Sequence, residues 1–229
     1  MQIGALQKVS LIEYPGKICA VVFTQGCNFK CPYCHNPELV KPDLYGECLR
    51  EDEILSFLEK RRGKLDAVNI TGGEPTIQHD LIDFVKRVKK KRYLVKVDSN
   101  GSVPEVLKAL IKGKEVDYIA MDIKGPLDKY NTITRSQIQE DVIKESIEII
   151  MRSDVPYEFR TTVSKSLLGE NDLLEIGNLI RNARLYILQQ FVPSKTLDKK
   201  FMKEETYSRK ELESIAQKLI RKIPQVLVR

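Results

Sequence analysis

Short runs of aliphatic and β-branched residues alternate along the chain with segments in which apolar residues return every three or four positions. The short runs are typical of buried strands, whereas the three-to-four spacing predicts helices that pack one face on a sheet. The predicted strands cover residues 18–24, 67–70, 94–97, 116–121, 157–163 and 185–188, with a short seventh run at 225–228. The predicted helices cover residues 51–62, 80–90, 104–112, 136–152, 172–181 and 209–221.

The repeated order of strand, polar loop and helix predicts an α/β fold with a parallel sheet. Six such units are too few for a closed eight-fold barrel, so the pattern leaves two open architectures, a partial barrel and a doubly wound sheet. Because no linker, low-complexity segment or fixed-period repeat interrupts the alternation, residues 1–229 are predicted to form one domain.

Polar residues gather just beyond the ends of the predicted strands. Five such clusters occur, at residues 27–34, 72–74, 98–100, 122–124 and 160–162. The carboxyl ends of parallel strands lie at one edge of a sheet, and ligands bind at that edge. We therefore expect these clusters to face a common site.

The composition limits the classes of partner and compartment. The chain has 229 residues, a formal net charge of +6 and no apolar run near the ~20 residues that would span a bilayer. Its start lacks the apolar core of a signal peptide and its five cysteines are odd in number, so we expect a reducing, cytoplasmic setting and no membrane partner. The basic run KRVKKKR at 86–92 is typical of a solvated helix end, and no nucleic-acid partner is expected.

Three cysteines, Cys27, Cys31 and Cys34, follow the first predicted strand in the spacing C-x3-C-x2-C. A zinc site would need a fourth ligand, which only Cys19, Cys48 or the histidine next to Cys34 could supply. That histidine could reach the same ion only with strain, Cys19 lies inside the strand, and Cys48 lies in a separate polar loop. An iron–sulfur cube suits three thiolates better, because it leaves one iron open for a substrate or cofactor.

The segment QGCNFKCPYCHN at 25–36, with an aromatic residue before its third cysteine, resembles the radical S-adenosylmethionine (SAM) superfamily. The segment VNITGGEP at 68–75 is similar to that family's second motif, which binds the methionine amino group. More narrowly, the YCHN continuation and the DIK segment at 122–124 resemble glycyl radical enzyme activating proteins. The segment GALQKVSLIEYPGK at 4–17 resembles those that activate anaerobic ribonucleoside-triphosphate reductase. The resemblance implies a partial (β/α)6 barrel with parallel strands and a cluster loop after the first core strand.

The resemblance also implies the cofactors and the residues that hold them. Cys27, Cys31 and Cys34 would ligate three irons of a [4Fe-4S] cluster, and SAM would chelate the fourth iron. The residues expected to bind SAM are Tyr33, His35, Gly72, Gly73, Glu74, Asp98, Ser99, Asp122, Lys124 and Arg160.

Within that set, the two glycines would let the backbone approach the ligand closely. Glu74 would accept hydrogen bonds from the ammonium group, and the turn that begins at Asp98 would hold the ribose or a cation. Asp122 and Lys124 would contact the nucleotide, and Arg160 would pair with the SAM carboxylate. Each of these assignments has a purely structural alternative. Glu74 could cap a helix, the residues from Asp98 could form a common turn, and Asp122 and Lys124 could form a surface ion pair.

The implied reaction is reductive cleavage of SAM to a 5′-deoxyadenosyl radical, which removes a hydrogen atom from a glycine of a partner enzyme. The expected partner is a glycyl radical enzyme of the anaerobic ribonucleotide reductase type, with flavodoxin or ferredoxin as electron donor. Two alternatives remain open: a radical SAM enzyme acting on a small molecule or nucleoside, and a zinc-binding module without catalysis.

The chain departs from the related activating enzymes at two places. Those of the pyruvate formate-lyase type carry a histidine near the sixth strand end that packs on the nucleotide. The stretch LQQFVPS at 188–194 has none, so Phe191 or Gln190 is expected to take its place. The eight-cysteine insertion of some activating enzymes is also absent, so a single cluster is expected.

Overall fold

The computed structural model describes residues 1–229, which form eight strands and seven α-helices. The strands are β1 (Ile3–Tyr14), β2 (Lys17–Thr24), β3 (Ala67–Gly72), β4 (Leu94–Ser99), β5 (Tyr118–Asp122), β6 (Tyr157–Val163), β7 (Tyr186–Gln190) and β8 (Val226–Val228). The helices are α1 (Glu51–Lys60), α2 (Leu81–Lys90), α3 (Pro104–Lys112), α4 (Leu127–Thr134), α5 (Glu140–Met151), α6 (Glu170–Leu179) and α7 (Arg209–Leu219).

All eight strands belong to one sheet, in which they follow one another in chain order. β1 and β2 form an antiparallel hairpin, and every later pair of neighbours is parallel. Right-handed crossovers in this order place the helices on one face and curl the sheet around the other. Because β1 and β8 do not pair, the barrel stays open. The predicted partial barrel is confirmed, and the doubly wound alternative is wrong because the strand order never reverses.

The two faces of the sheet bury different kinds of side chain. The outer face and the helices form the main hydrophobic core. On the inner face, Tyr14, Cys19, Val21 and Ala67 form a small apolar cluster near the amino ends of β2 and β3. The ring of Tyr14 lies 5.7 Å from that of Tyr118, which closes this end of the barrel. Farther along the inner face, toward the carboxyl ends, the buried residues become charged.

The hairpin strand β1 was not predicted, because its residues do not alternate regularly between buried and exposed. Only Ile3, Ser10 and Tyr14 of its twelve residues are buried, and its register against β2 shifts at three places. Such bulges interrupt the period of two on which strand prediction depends.

The helix predicted over 136–152 is wrong at its start, because α5 begins at Glu140. The preceding helix α4 escaped prediction, since its sequence LDKYNTIT is rich in residues of low helix propensity. Arg135 adopts a left-handed conformation, with φ of 49°, and thereby ends α4 and separates the two helices.

Strands β3, β4 and β7 each extend two residues beyond the predicted ends. The added residues are small or polar, so they carry no apolar signal. In β4 they are Asp98 and Ser99, which therefore lie on the sheet itself and not in a following loop. None of the helices combines the length and the apolar character needed to cross a bilayer.

Candidate functional site

A cavity of about 210 Å³ lies at the carboxyl edge of the sheet, between the strand ends and the cysteine loop, residues 25–36. Every predicted site residue except Arg160 lines it. The expectation that the polar strand ends face one site is therefore met in the structure. The lining also includes Phe29, Asn36, Val40, Thr71, Asn100 and Thr162.

Backbone hydrogen bonds to several segments outside the cysteine loop hold it in place. The Gly26 N–H donates to the Leu39 carbonyl at 2.8 Å, and the Lys30 N–H donates to the carbonyl of Thr134, at the end of α4, at 2.8 Å. From the other side, the N–H groups of Leu197 and Asp198 donate to the carbonyls of Cys34 and Pro32, both at 2.9 Å. We call residues 196–198 the clamp segment. Its part in the site was missed because its sequence carries no metal-binding or strand signal.

The three thiols of the loop are free and neutral in the metal-free chain. Burial raises the pKa of Cys27 to about 12 and that of Cys31 to about 11, and it raises the pKa of Cys34 as well. Binding of a metal by these thiols would displace their protons and would therefore couple metal affinity to pH. The Phe29 N–H donates to Cys27 Sγ at 3.4 Å, and this hydrogen bond favours the thiolate form of that sulfur.

The arrangement of the thiols fits an iron–sulfur cube. In a cube each thiolate binds a different iron, so the ligands must surround a space and need not converge on a point. The three cysteines meet this requirement, because all of them line the same cavity. Nowhere in the chain do three or more His, Cys, Asp or Glu side chains converge as a single metal ion requires.

The turn after β3 needs two successive glycines because of the protein's own packing. A Cβ on Gly73 would lie 1.9 Å from the Gly26 carbonyl oxygen, and a Cβ on Gly72, whose φ is 111°, would lie 2.5 Å from the Thr24 nitrogen. The N–H groups of Gly73 and Glu74 donate to the carbonyls of Thr24 and Gly26, both at 2.8 Å. Gly73 is thus packed against the cysteine loop and Gly72 against the end of β2, and both glycines also line the cavity.

The Glu74 carboxylate is fully buried and joins the turns after β3 and β4. Oε1 accepts hydrogen bonds from the Thr76 N–H at 3.0 Å, the Thr76 hydroxyl at 2.5 Å and the Ser99 hydroxyl at 2.9 Å. Oε2 accepts only the Asn100 N–H, at 2.6 Å, so this oxygen keeps a free lone pair for a ligand. Burial raises the pKa of Glu74, and the four donors act in the opposite direction.

A row of alternating charges runs across β4, β5 and β6, and three of its members line the cavity. Lys96 pairs with Asp98, which also accepts from Arg160 at 3.3 Å. Arg160 donates through Nε to Asp122 at 2.8 Å, and the Lys124 ammonium lies 3.0 Å from the same carboxylate. Burial alone would raise the pKa of both aspartates, but Arg160 and the lysines reverse the effect and hold both pKa values below the usual range.

Arg160, which was expected to pair with a ligand carboxylate, is the one predicted site residue that does not line the cavity. Its buried guanidinium pairs with the buried Asp98 and the partly buried Asp122, and so serves as a counter-charge that the two carboxylates share. Lys96 was missed by sequence reasoning. A lysine within a strand usually marks a solvated face, whereas here its side chain is 1% exposed.

The aromatic residues near the cavity form a stack that supports the loop. The His35 ring lies parallel to the Phe191 ring at 5.4 Å, and the Tyr33 ring meets Phe191 edge-on at 6.3 Å. Phe191 is buried and does not line the cavity, and Gln190 donates to the Tyr207 carbonyl instead. Neither residue lines the cavity, and Phe191 packs beneath the loop.

Comparison with known proteins agrees with this geometry. Residues 21–179 match the Radical SAM superfamily. A Methanocaldococcus jannaschii protein named as a glycyl-radical enzyme activating enzyme is 34% identical over 99% of this chain and 95% of its own length. A Pyrococcus horikoshii protein named as a GTP 3′,8-cyclase is 29% identical over 90% of this chain, which spans 66% of that longer protein.

Among solved structures, Streptococcus suis SuiB bound to S-adenosylmethionine superposes with a TM-score of 0.70. The match covers 89% of this chain and 48% of SuiB, at 12% sequence identity. This likeness supports the fold.

Gly73→Ala should lower the free energy of unfolding by about 1–3 kcal/mol, because the added Cβ would overlap the Gly26 carbonyl. Urea denaturation of the metal-free protein measures this. Gly46→Ala is the matched control, since nothing lies within 4 Å of a Cβ there, and its effect should stay within about 0.5 kcal/mol. Equal effects of the two substitutions would contradict the packing described for the β3 turn.

Arg160→Met should destabilise the protein at neutral pH by about 3–5 kcal/mol, because it leaves the buried carboxylate of Asp98 and the partly buried one of Asp122 without their shared partner. The folded-state pKa values of Asp98 and Asp122 lie below the ordinary 3.8. Their stabilisation is therefore present above that pH and is lost as the pH falls further. The difference from wild type should shrink as the pH is lowered toward 3, as followed by urea denaturation.

The control for this series is Arg152→Met, which removes an exposed helical ion pair with Glu148 and should change stability by less than about 0.5 kcal/mol. A destabilisation by Arg160→Met that stays constant with pH would show that the guanidinium does not keep the aspartates ionised.

Proposed function

The chain belongs to the radical SAM superfamily, and from this membership we propose that it is an activating enzyme that generates a glycyl radical on a partner enzyme. Enzymes of this superfamily use a [4Fe-4S] cluster and SAM. The observation that carries the proposal is the cavity itself, where three thiols on one wall face a set of polar strand ends on the other.

Each wall of the cavity has a distinct task under this proposal. Cys27, Cys31 and Cys34 hold three irons, and the loop that carries them is already fixed by its backbone hydrogen bonds. When bound, the cluster and SAM supply one-electron cleavage of the sulfonium and hence a 5′-deoxyadenosyl radical. The chain's own residues orient SAM and exclude water from it.

The polar wall suits the charges of SAM. The Gly72–Glu74 turn receives the ammonium group, for which Glu74 Oε2 has a free lone pair. Asp98 and Ser99 face the ribose or a cation, and Asp122 with Lys124 faces the nucleotide. Arg160 does not touch SAM but keeps the two aspartates ionised and in place, and is therefore a positioning residue.

Tyr33 and His35 complete the cavity on the loop side, where their rings are held by Phe191. They form an aromatic border next to the thiols, which suits a purine. The cavity therefore presents sulfur and aromatic groups on one side and hydrogen-bonding groups on the other.

The proposed hydrogen donor is a glycine of a large partner. The M. jannaschii relative named as an activating enzyme matches this chain from end to end, which supports a partner of that kind. We propose a reductase of the anaerobic ribonucleotide reductase type as the partner, flavodoxin or ferredoxin as the electron donor, and the cytoplasm as the compartment.

A nucleoside substrate is the second candidate. It is favoured by the relative named as a GTP 3′,8-cyclase, which matches 90% of this chain. That protein is longer, and this chain covers 66% of it. The end-to-end match with the activating-enzyme relative makes activation the better supported of the two.

The cluster chemistry is tested by anaerobic reconstitution with iron and sulfide, reduction, addition of SAM and chromatographic assay of 5′-deoxyadenosine. Wild type should form this product, and Cys31→Ala should lose it because one of three thiolate ligands is gone. Cys48→Ala is the matched control, since the Cys48 thiol is exposed and donates only to Gln25 Oε1, at 2.9 Å. Its product yield should match wild type.

Product from Cys31→Ala would contradict the ligand assignment. Retention of zinc with no iron uptake by wild type would favour the zinc-binding module instead.

The hydrogen donor is tested by incubating the loaded and chemically reduced protein and SAM with a glycine-deuterated reductase of the proposed type from the same source. Deuterium should appear in 5′-deoxyadenosine, and electron paramagnetic resonance should show a glycyl radical on the reductase. A parallel incubation with GTP in place of the reductase should give the same yield of 5′-deoxyadenosine as an incubation with SAM alone. Stimulation by GTP without labelling from the reductase would favour the nucleoside reaction.

A further inference from the structure

The turn after β4 is hydrogen-bonded to the cysteine loop through side chains. The side-chain nitrogen of Asn100 donates to Asn28 Oδ1 at 2.9 Å, and the side-chain nitrogen of Asn28 donates to Ser102 Oγ at 2.8 Å. The Ser102 N–H donates to Asn100 Oδ1 at 2.9 Å, so the three residues close a ring of hydrogen bonds. We call Asn28, Asn100 and Ser102 the amide bridge. No hydrogen bond between the backbones of the turn and the loop supplements it.

Asn100 connects the two walls of the cavity. Its backbone N–H donates to Glu74 Oε2 at 2.6 Å, whereas its side chain bonds to Asn28 and lies 4.0 Å from Cys27 Sγ. The residue is 6% exposed and lines the cavity. One residue therefore holds a carboxylate of the polar wall with its main chain and the thiol-bearing wall with its side chain.

The turn that carries Asn100 is itself fixed from behind. The Ser146 hydroxyl, on α5, donates to the Gly101 carbonyl at 2.7 Å, and the Gly101 N–H donates to Ser99 Oγ at 3.0 Å. A Cβ on Gly101, whose φ is 76°, would lie 2.0 Å from Cε of Met121, so the turn also packs closely on β5. The turn is thus a firm base from which the amide bridge holds the loop.

The amide bridge holds the loop at a second point, beyond the contact made by the β3 turn. The Glu74 N–H donates to the Gly26 carbonyl, on one side of Cys27 in the chain, and Asn28 lies on the other side. The first contact uses backbone groups and survives most substitutions. The second depends on two side-chain amides, so a substitution can remove it alone.

We propose that Asn100 is a positioning residue that fixes the separation between Glu74 Oε2 and the cysteine loop, and with it the separation between the two ends of the SAM site. The inference rests on the proposed function, in which Glu74 receives the amino group of SAM and the loop holds the cluster. A ligand that contacts two walls at once binds more weakly when the walls move relative to each other, because ordering them then opposes binding. Asn100 acts through Asn28 and not on a reacting atom.

The test compares Asn100→Ala with Asn28→Ala in protein that carries an oxidised cluster, so that no SAM is consumed. Asn100→Ala keeps the backbone N–H that holds Glu74, and each substitution removes the bond between the two amides. Equilibrium dialysis with labelled SAM should give a Kd about 2- to 10-fold higher for both variants, which is the effect expected from one net hydrogen bond. Their iron and sulfide contents should equal those of wild type.

Asn28→Ala separates positioning from direct contact, because Asn28 does not line the cavity. Since either substitution breaks the same bridge, the double variant should raise the Kd no further than the single variants. Asn28→Asp should restore the affinity, because the introduced carboxylate accepts hydrogen bonds from Asn100 and from the Ser102 hydroxyl.

Asn178→Ala is the matched control. Asn178 is also an exposed amide, and it accepts from Arg181 at 3.4 Å on α6, away from the cavity. Its Kd for SAM should equal that of wild type.

Four outcomes would overturn the inference. Weaker binding in Asn100→Ala but not in Asn28→Ala would assign Asn100 to direct contact with SAM. Loss of the cluster from either variant would make the amide bridge part of the metal site. An unchanged Kd in both variants would show that the bridge does not position the walls. A Kd for Asn28→Asp as high as that for Asn28→Ala would show that the hydrogen bonds are not the cause. If wild type itself takes up no cluster or binds no SAM, the proposed function is overturned, and the inference with it.

Discussion

The gathering of three carboxylates at the carboxyl edge of the sheet, those of Glu74 and Asp98 buried and that of Asp122 partly buried, is the constraint on which the site depends. A buried charge is tolerated only when it is paired or hydrogen-bonded. Glu74 meets this requirement with donors from its own turn and from the turn after β4. Asp98 and Asp122 meet it by sharing Arg160, with Lys96 and Lys124 at either end. Hydrogen bonds and ion pairs thus connect strands β3 to β6 at the cavity wall and make that wall rigid.

The opposite wall is an irregular loop, and its shape is set by different means. The cysteine loop has no regular strand or helix of its own, so its backbone groups pair with the end of α4, with residue 39 and with the clamp segment. Gly73 allows the β3 turn to touch the loop without a Cβ in between. The loop is therefore positioned from several sides before any metal binds, which lowers the ordering cost of loading a cluster.

The two walls divide the chemistry between them. The loop contributes thiols and aromatic rings, whereas the strand ends contribute carboxylates, hydroxyls and one lysine. A zwitterionic ligand that carries a purine and must also reach a metal needs both kinds of surface at once. This division supports SAM as the ligand between the walls. The two walls do not themselves identify the hydrogen donor, which depends on the molecule that enters the open edge of the barrel.

The sequence by itself determined the alternation of strands and helices, the parallel sheet and the list of polar strand ends, because apolar periodicity and short motifs are local signals. It also placed Cys27, Cys31 and Cys34 together, since their spacing needs no fold to bring them close. The sequence pattern indicated neither the hairpin strand β1 nor the helix α4. In β1, bulges interrupt the period of two, and in α4 the residues have low helix propensity. Only the tertiary structure decided that Arg160 serves the protein's own aspartates, that Lys96 is buried and that the clamp segment holds the cysteine loop. These contacts form between residues that are far apart in the sequence, and no local sequence pattern predicts such contacts.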